Sequence, residues 1–248
     1  EYEQRDGPVV KRMLDQILQS ANADGMLFNE VDAEALSPID TRLSDNWGYV
    51  YGAVYSYYQV TGDTAYRDAV RRVLANLPKY RKHVWEPRNP ADNLPLGSFD
   101  GYGDAIESAI YLVNREPVPE AFDWIDSEMQ VMLGMQRPGG HIENWYGEGN
   151  FNRTALLYAY MKSLGVRPAR WEPGVRVGAV RDGSRVIVSL ATSAPRRIQF
   201  DFARHARVMN LRKNYVRLNE FPEWFTVDEN ALYRIGRPGT PGEIRLGS

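Results

Sequence analysis

Between residues 46 and 164 apolar residues recur at helical spacing in five segments, and the segments alternate in character. The stretches 46–60 (NWGYVYGAVYSYYQV), 103–114 (GDAIESAIYLVN) and 154–164 (TALLYAYMKSL) are mostly apolar, and each follows a long polar loop. The stretches 64–77 (TAYRDAVRRVLANL) and 120–136 (EAFDWIDSEMQVMLGMQ) are charged and amphipathic, and each follows a tight connection, TGD or REPVP. An apolar helix must be covered on most sides and an amphipathic one on a single face. Short connections make consecutive helices antiparallel neighbours. The pattern predicts helical hairpins stacked side by side, apolar helices inside and charged ones outside. Short turns then lie at one end of the stack and long loops at the other. A further helix is expected at 8–21, opening on a proline at a position that helices tolerate.

From about residue 172 the period changes. VRVGAVRDGSRVIVSL reads as a strand, a tight DG turn and a second strand. RRIQFDF, HARVMNL, EWFTVD and ALYRIG continue as short β segments, and the Gly/Pro-rich end RPGTPGEIRLGS reads as peripheral. The expected organisation is a helical-hairpin domain over 1–171 and a small antiparallel β-sandwich-like domain over 172–248, with the boundary near Pro173.

The 248 residues suffice for one large domain or two small ones, and 43% hydrophobic residues allow a substantial core. Thirty Lys+Arg against 32 Asp+Glu leave a net charge of -2, with no basic surplus pointing to nucleic acid. No apolar run is long enough for a bilayer, and EYEQRDGP lacks a signal-peptide core, so no membrane partner is expected. The compartment stays open; secretion or a periplasmic place suits an enzyme of polymers. The lack of cysteine excludes disulfides, thiolate nucleophiles and cysteine-ligated zinc. No two of His83, His141 and His205 stand at helical spacing, and there is no phosphate-binding loop, nucleophile elbow or dinucleotide fingerprint. Neither metal nor cofactor is expected. Fifteen Tyr and six Trp fit either rings at the core margin or a surface on which sugars stack.

The stacking arrangement brings three polar loops together: 37–49, 86–104 and 139–153. In FDGYGDAIES, Asp100, Asp104 and Glu107 fall at i, i+4 and i+7, on one helical face. A carboxylate pair across a glycosidic bond serves as general acid and as base or nucleophile, which makes Asp104 the first catalytic candidate and Asp100 the second. The same acids also suit a helix start, where the dipole favours them. DNWGY offers Asp45 and Trp47 for substrate binding, or equally a cap and a packed ring; Tyr102 is a further aromatic contact. HIENWYGEGNFNR admits a second chemistry. Uronate β-elimination needs a neutralised carboxylate, a base and an acid. Asn144 would hold the carboxylate, His141 or Tyr146 would move the proton, and Arg153 would hold negative charge. Glu143 is an added carboxylate and Trp145 a stacking ring. A polar loop whose groups satisfy one another accounts for the same residues.

NWGYVYGAVYSYYQVTGDTAYRDAV (46–70) resembles the (α/α) toroid enzymes that act on glycans, the six-hairpin glycosidases and toroid polysaccharide lyases. In those families an inner helix with Trp-Gly near its start ends at a TGD turn, and a Tyr of the outer helix packs back. The resemblance covers roughly residues 40–165 and implies a toroid-type fold followed by a β domain, with an oligo- or polysaccharide as substrate. A closed toroid needs more helices than are read here. The resemblance then implies the C-terminal half of a longer protein, a ring completed by another chain, or an incomplete arc. The expected function is glycoside hydrolysis, with polysaccharide β-elimination or a non-catalytic glycan-binding or toroid-completing role as alternatives.

Overall fold

A computed structural model describes residues 7–82, 100–142, 148–237 and 239–247, without the side chains of Asp100 and Glu148. The chain divides into two compact units, Glu1–Leu156 and Leu157–Ser248.

The first unit is helical: α1 (Gly7–Gln19), α2 (Trp47–Thr61), α3 (Thr64–Asn76) with a 3-10 turn at Leu77–Tyr80, α4 (Asp100–Val113) and α5 (Pro119–Gly134). It also holds the first half of α6 (Glu148–Ser163). The α2–α3 connection is built by three residues in a row. Thr61 donates its hydroxyl to the Tyr57 carbonyl at 2.8 Å. Gly62 takes the left-handed conformation (φ 80°) and donates its N–H to the Tyr58 carbonyl. Asp63 then caps α3 by accepting from the Ala65 N–H at 3.1 Å. Together they close one helix with an αL glycine and start the next with an aspartate.

The two hairpins lie side by side, α2 against α4 and α3 against α5. Helix α4 is the buried centre: from Gly101 to Val113 only Asp104 is not buried. The close approach of α2 and α4 rests on Gly48, where an added Cβ would stand 1.9 Å from the Cβ of Ser108. In α3 and α5 one face is buried, including Tyr66, Val70, Val73 and Leu74 in one and Trp124, Ile125, Met129 and Met132 in the other. Helix α2, also expected inside, buries six of its fifteen residues, much as α5 buries six of sixteen, so the expected inner and outer division holds for α4 and not for α2. Helix α6 departs from it, since Leu156 is 53% exposed and only one face is covered. The apolar run TALLYAYM suggests burial all round, but Tyr, Ala and Leu tolerate either setting. Between α1 and α2 the chain is tied by isolated antiparallel bridges, Phe28 to Leu43 and Val31 to Pro38.

Glu116, in the short α4–α5 connection, locks the short-turn end. It is buried and accepts from Tyr55 Oη of α2 (2.8 Å), Arg67 Nε (2.7 Å) and Arg71 Nη1 (3.0 Å) of α3. Burial disfavours its charge, but these three donors outweigh burial and hold the carboxyl below the usual glutamate range.

The second unit contains β1 (Arg167–Pro168), β2 (Arg176–Asp182), β3 (Arg185–Ala191), β4 (Ile198–Gln199), a helical turn α7 (Arg204–Arg207), β5 (Leu232–Ile235) and β6 (Glu243–Leu246). Among the described residues these make three separate two-stranded antiparallel ribbons, β1–β4, β2–β3 and β5–β6, in place of the sandwich-like packing expected. The β2–β3 hairpin turns one residue later than DG implied. Asp182 pairs with Arg185, so Gly183 (φ 58°) and Ser184 form the loop. HARVMNL forms no strand. Arg204 bonds both oxygens of Asp201, Asn219 Oδ1 and the Phe221 carbonyl, while Glu223 accepts from the His205 N–H. These side-chain bonds replace a β ladder. EWFTVD contributes only a parallel bridge from Thr226 to Asp201, and the last residues are more than peripheral because β6 lies within them.

Candidate functional site

The N-terminal turns of α2, α4 and α6 meet. Tyr49 comes from the first turn of α2, Asp104 and Glu107 from the first two turns of α4, and Arg153 from the second turn of α6. Each of these helices is preceded by a polar stretch in the sequence. Thr154 fixes α6 on α4 by donating its hydroxyl to the Gly103 carbonyl at 3.0 Å, with the Phe151 ring packed over Gly103.

Arg153 is the hub. Its Nη2 donates to Asp104 Oδ1 at 3.1 Å, and its Nε lies against Glu107 Oε2 as a close ion pair. The same Nη2 reaches Tyr49 Oη at 3.3 Å, and Tyr49 donates to Asp104 Oδ1 at 3.3 Å. Burial opposes the Arg153 charge, but Glu107, Tyr49 and Asp104 together raise its pKa above the usual arginine value. Glu107 is almost fully buried, whereas the Asp104 side chain keeps 16% of its surface and Arg153 30%. Asp104 is thus the solvent-reaching carboxylate of a fixed group, and Glu107 is its buried support.

The i, i+4, i+7 reading of Asp100, Asp104 and Glu107 fits this geometry in its last two members, which share Arg153. Asp100 opens α4, and its side chain lies outside the described residues. Glu143, Asn144, Trp145 and Tyr146 also lie outside the described residues. His141 is exposed, its carbonyl accepting the Arg137 N–H at 2.7 Å in the turn before the loop, and no described interaction joins its ring to the Arg153 cluster. Asp45 is half-buried and accepts from Asn46 Nδ2 at 2.6 Å, also away from the cluster.

Two proposed sugar contacts are core residues instead. Trp47 is fully buried with its ring edge-on to Tyr51, so no face is left for stacking. Tyr102 is buried and donates its hydroxyl to the buried Glu128, which also accepts from the Lys82 N–H at 2.9 Å. Both sit at helix starts, where sequence alone does not separate a ring facing solvent from one facing the neighbouring helix. Tyr49 lies at the end of the 37–49 polar loop, and nothing in the sequence singles it out. Its alignment with Asp104 depends on how α2 lies along α4, which no local spacing reports.

Among the described residues no group of His, Asp and Glu is arranged to hold a metal ion, and no helix is long and apolar enough to cross a membrane. No protein family, curated protein or solved structure matches the chain.

Proposed function

We propose that this chain processes carbohydrate by glycoside hydrolysis, with Asp104 as the reacting carboxylate. The observation that carries the reading is the meeting of Tyr49, Asp104 and Arg153 from the opening turns of three helices. A carboxylate held by a phenol and a guanidinium, yet reaching solvent, suits a base or nucleophile beside a sugar ring. Asp100, one turn earlier on α4, is the partner acid in this reading. The separation of the two carboxyl groups sets inversion or retention. The N-terminus of α4 adds a favourable dipole for both. Helical hairpins lying side by side and a TGD turn support a toroid-type arc.

Arg153 enters this site already satisfied by two carboxylates, so it supports Asp104 and is not a receptor for a substrate anion. Incubation with neutral and uronate-containing glycans tests the reading, with reducing ends and the ultraviolet absorbance of unsaturated uronates followed together. Reducing ends without new absorbance support hydrolysis. Absorbance rising with them transfers the chemistry to the 141–146 loop and β-elimination. Silence in both, with retained glycan binding, leaves a binding or toroid-completing role.

A further inference from the structure

The near-neutral total hides a division. Residues 1–156 carry 14 Lys+Arg against 24 Asp+Glu, and residues 157–248 carry 16 against 8. The second unit is therefore strongly cationic on its own, which favours an anionic partner.

Four of its sixteen cations, Arg167, Arg170, Arg196 and Arg197, lie on or beside the β1–β4 ribbon. Arg167 pairs with Gln199, and the ladder runs on through the Ala169 N–H to the Arg197 carbonyl at 2.8 Å. Arg167 and Arg197 are thus diagonal neighbours on one face, about 7–8 Å apart. Both are exposed. The chain leaves the ribbon through Arg170, whose side chain is 87% exposed, and Trp171, 58% exposed. Glu172 is the one acid between residues 157 and 181, and Arg196 already holds it at 2.6 Å. An exposed tryptophan among arginines on a cationic unit is not explained by packing, since large rings are normally covered.

We infer that the β1–β4 ribbon with Arg170 and Trp171 is a binding site for an acidic sugar, one bearing a carboxylate or sulfate, within a polysaccharide. The inference deepens the glycan reading above and rests on it. The indole offers a flat apolar face to the C–H side of a sugar ring. Arg167 and Arg197 offer planar forks that match a carboxylate or sulfate in two parallel hydrogen bonds. The short ribbon fits a brief stretch of a polymer with a charge on each sugar, not the long groove of a duplex.

Calorimetric titration of the full chain tests this, with a galacturonate hexamer as probe, cellohexaose as its neutral counterpart and a single-stranded DNA hexamer as a non-glycan polyanion. The galacturonate should bind and cellohexaose should not. Trp171→Ala and the double variant Arg167→Ala/Arg197→Ala should each weaken binding about tenfold or more, the scale of a charge-assisted contact. Arg245→Ala, which removes the same charge from the β5–β6 ribbon, should leave it unchanged. Equal losses with Arg245→Ala, equal binding of cellohexaose, or tighter binding of DNA would each overturn the site. The two readings fail separately. Galacturonate binding without release of reducing ends from any glycan keeps this site and removes hydrolysis. Reducing ends without galacturonate binding do the reverse.

Discussion

Gly48 of α2 faces Ser108 of α4 so closely that a methyl group on the glycine would overlap the serine side chain, Cβ to Cβ at 1.9 Å. The Ser108 Cα is only 3.2 Å from the same point, so the backbone itself would have to move. Trp47 beside it is fully buried, and the Trp-Gly pair is therefore the contact that sets how near the inner helices lie.

Gly48→Ala should destabilise the first unit by about 2 kcal/mol, overpacking outweighing the better helix propensity of alanine. Gly134→Ala supplies the contrast. Nothing lies within 4 Å of its added Cβ, so this substitution at the end of α5 should gain up to about 1 kcal/mol. Urea denaturation midpoints of the two variants should move in opposite directions.

Glu116→Gln should cost about 2 kcal/mol at neutral pH, a modest figure because Arg67 and Arg71 are partly exposed. The pH dependence has a definite sign. The folded carboxyl lies below its ordinary value of 4.5, so its stabilisation is complete above that value and is lost as pH falls through the lower folded one. Denaturation series at descending pH should show wild type and Glu116→Gln converging below about pH 4.5. A gap that stayed constant into acid would count against the ion-pair account.

The buried phenols act at the other end of the scale. Burial raises the pKa values of Tyr51, Tyr55 and Tyr102, and burial with the Asp15 hydrogen bond pushes Tyr66 up to about 12. Unfolded phenols ionise near 10, so the folded state holds protons that the unfolded chain releases. Stability should be full below that pH and fall as pH rises through the folded values, by up to about 1.4 kcal/mol per pH unit for each phenol. Tyr51→Phe should flatten this alkaline slope, which unfolding curves from neutral to strongly alkaline pH would reveal.

Asp104→Asn keeps the shape of the Arg153 hub and removes one charge. Glycoside hydrolysis should fall by about 10²-fold or more, with the helical circular dichroism unchanged. Arg153→Lys should instead lower stability by about 2–3 kcal/mol, because a lysine has no fork with which to reach both Asp104 and the buried Glu107. Comparing turnover with denaturation midpoints separates the two roles.

Where a few neighbouring residues determine an element, the sequence was readable. Thr61, Gly62 and Asp63 specify the end of α2 and the start of α3 by themselves, and the alternation of 176–191 specifies a hairpin. Distant partners were not readable. HARVMNL alternates like a strand, yet Asp201, Asn219 and Glu223 hold Arg204 and His205 in a helical turn. In the candidate site, Asp104 and Glu107 could be placed on one face from their spacing. The burial of Trp47 and the contact of Tyr49 with Asp104 depend on the fit of α2 against α4. The division of charge between the units disappeared because their excesses nearly cancel in the sum.

Glu116 and Arg153 fasten the hairpins at opposite poles, one through a short connection and the other through the opening turns of the inner helices. A stack riveted at both poles resists a one-turn slip of one hairpin along its neighbour, because a slip would break the rivets at both ends together. Such a frame keeps its alignment independently of whatever lies between the rivets and solvent. The loops at one pole can therefore change in sequence without moving the frame that carries them.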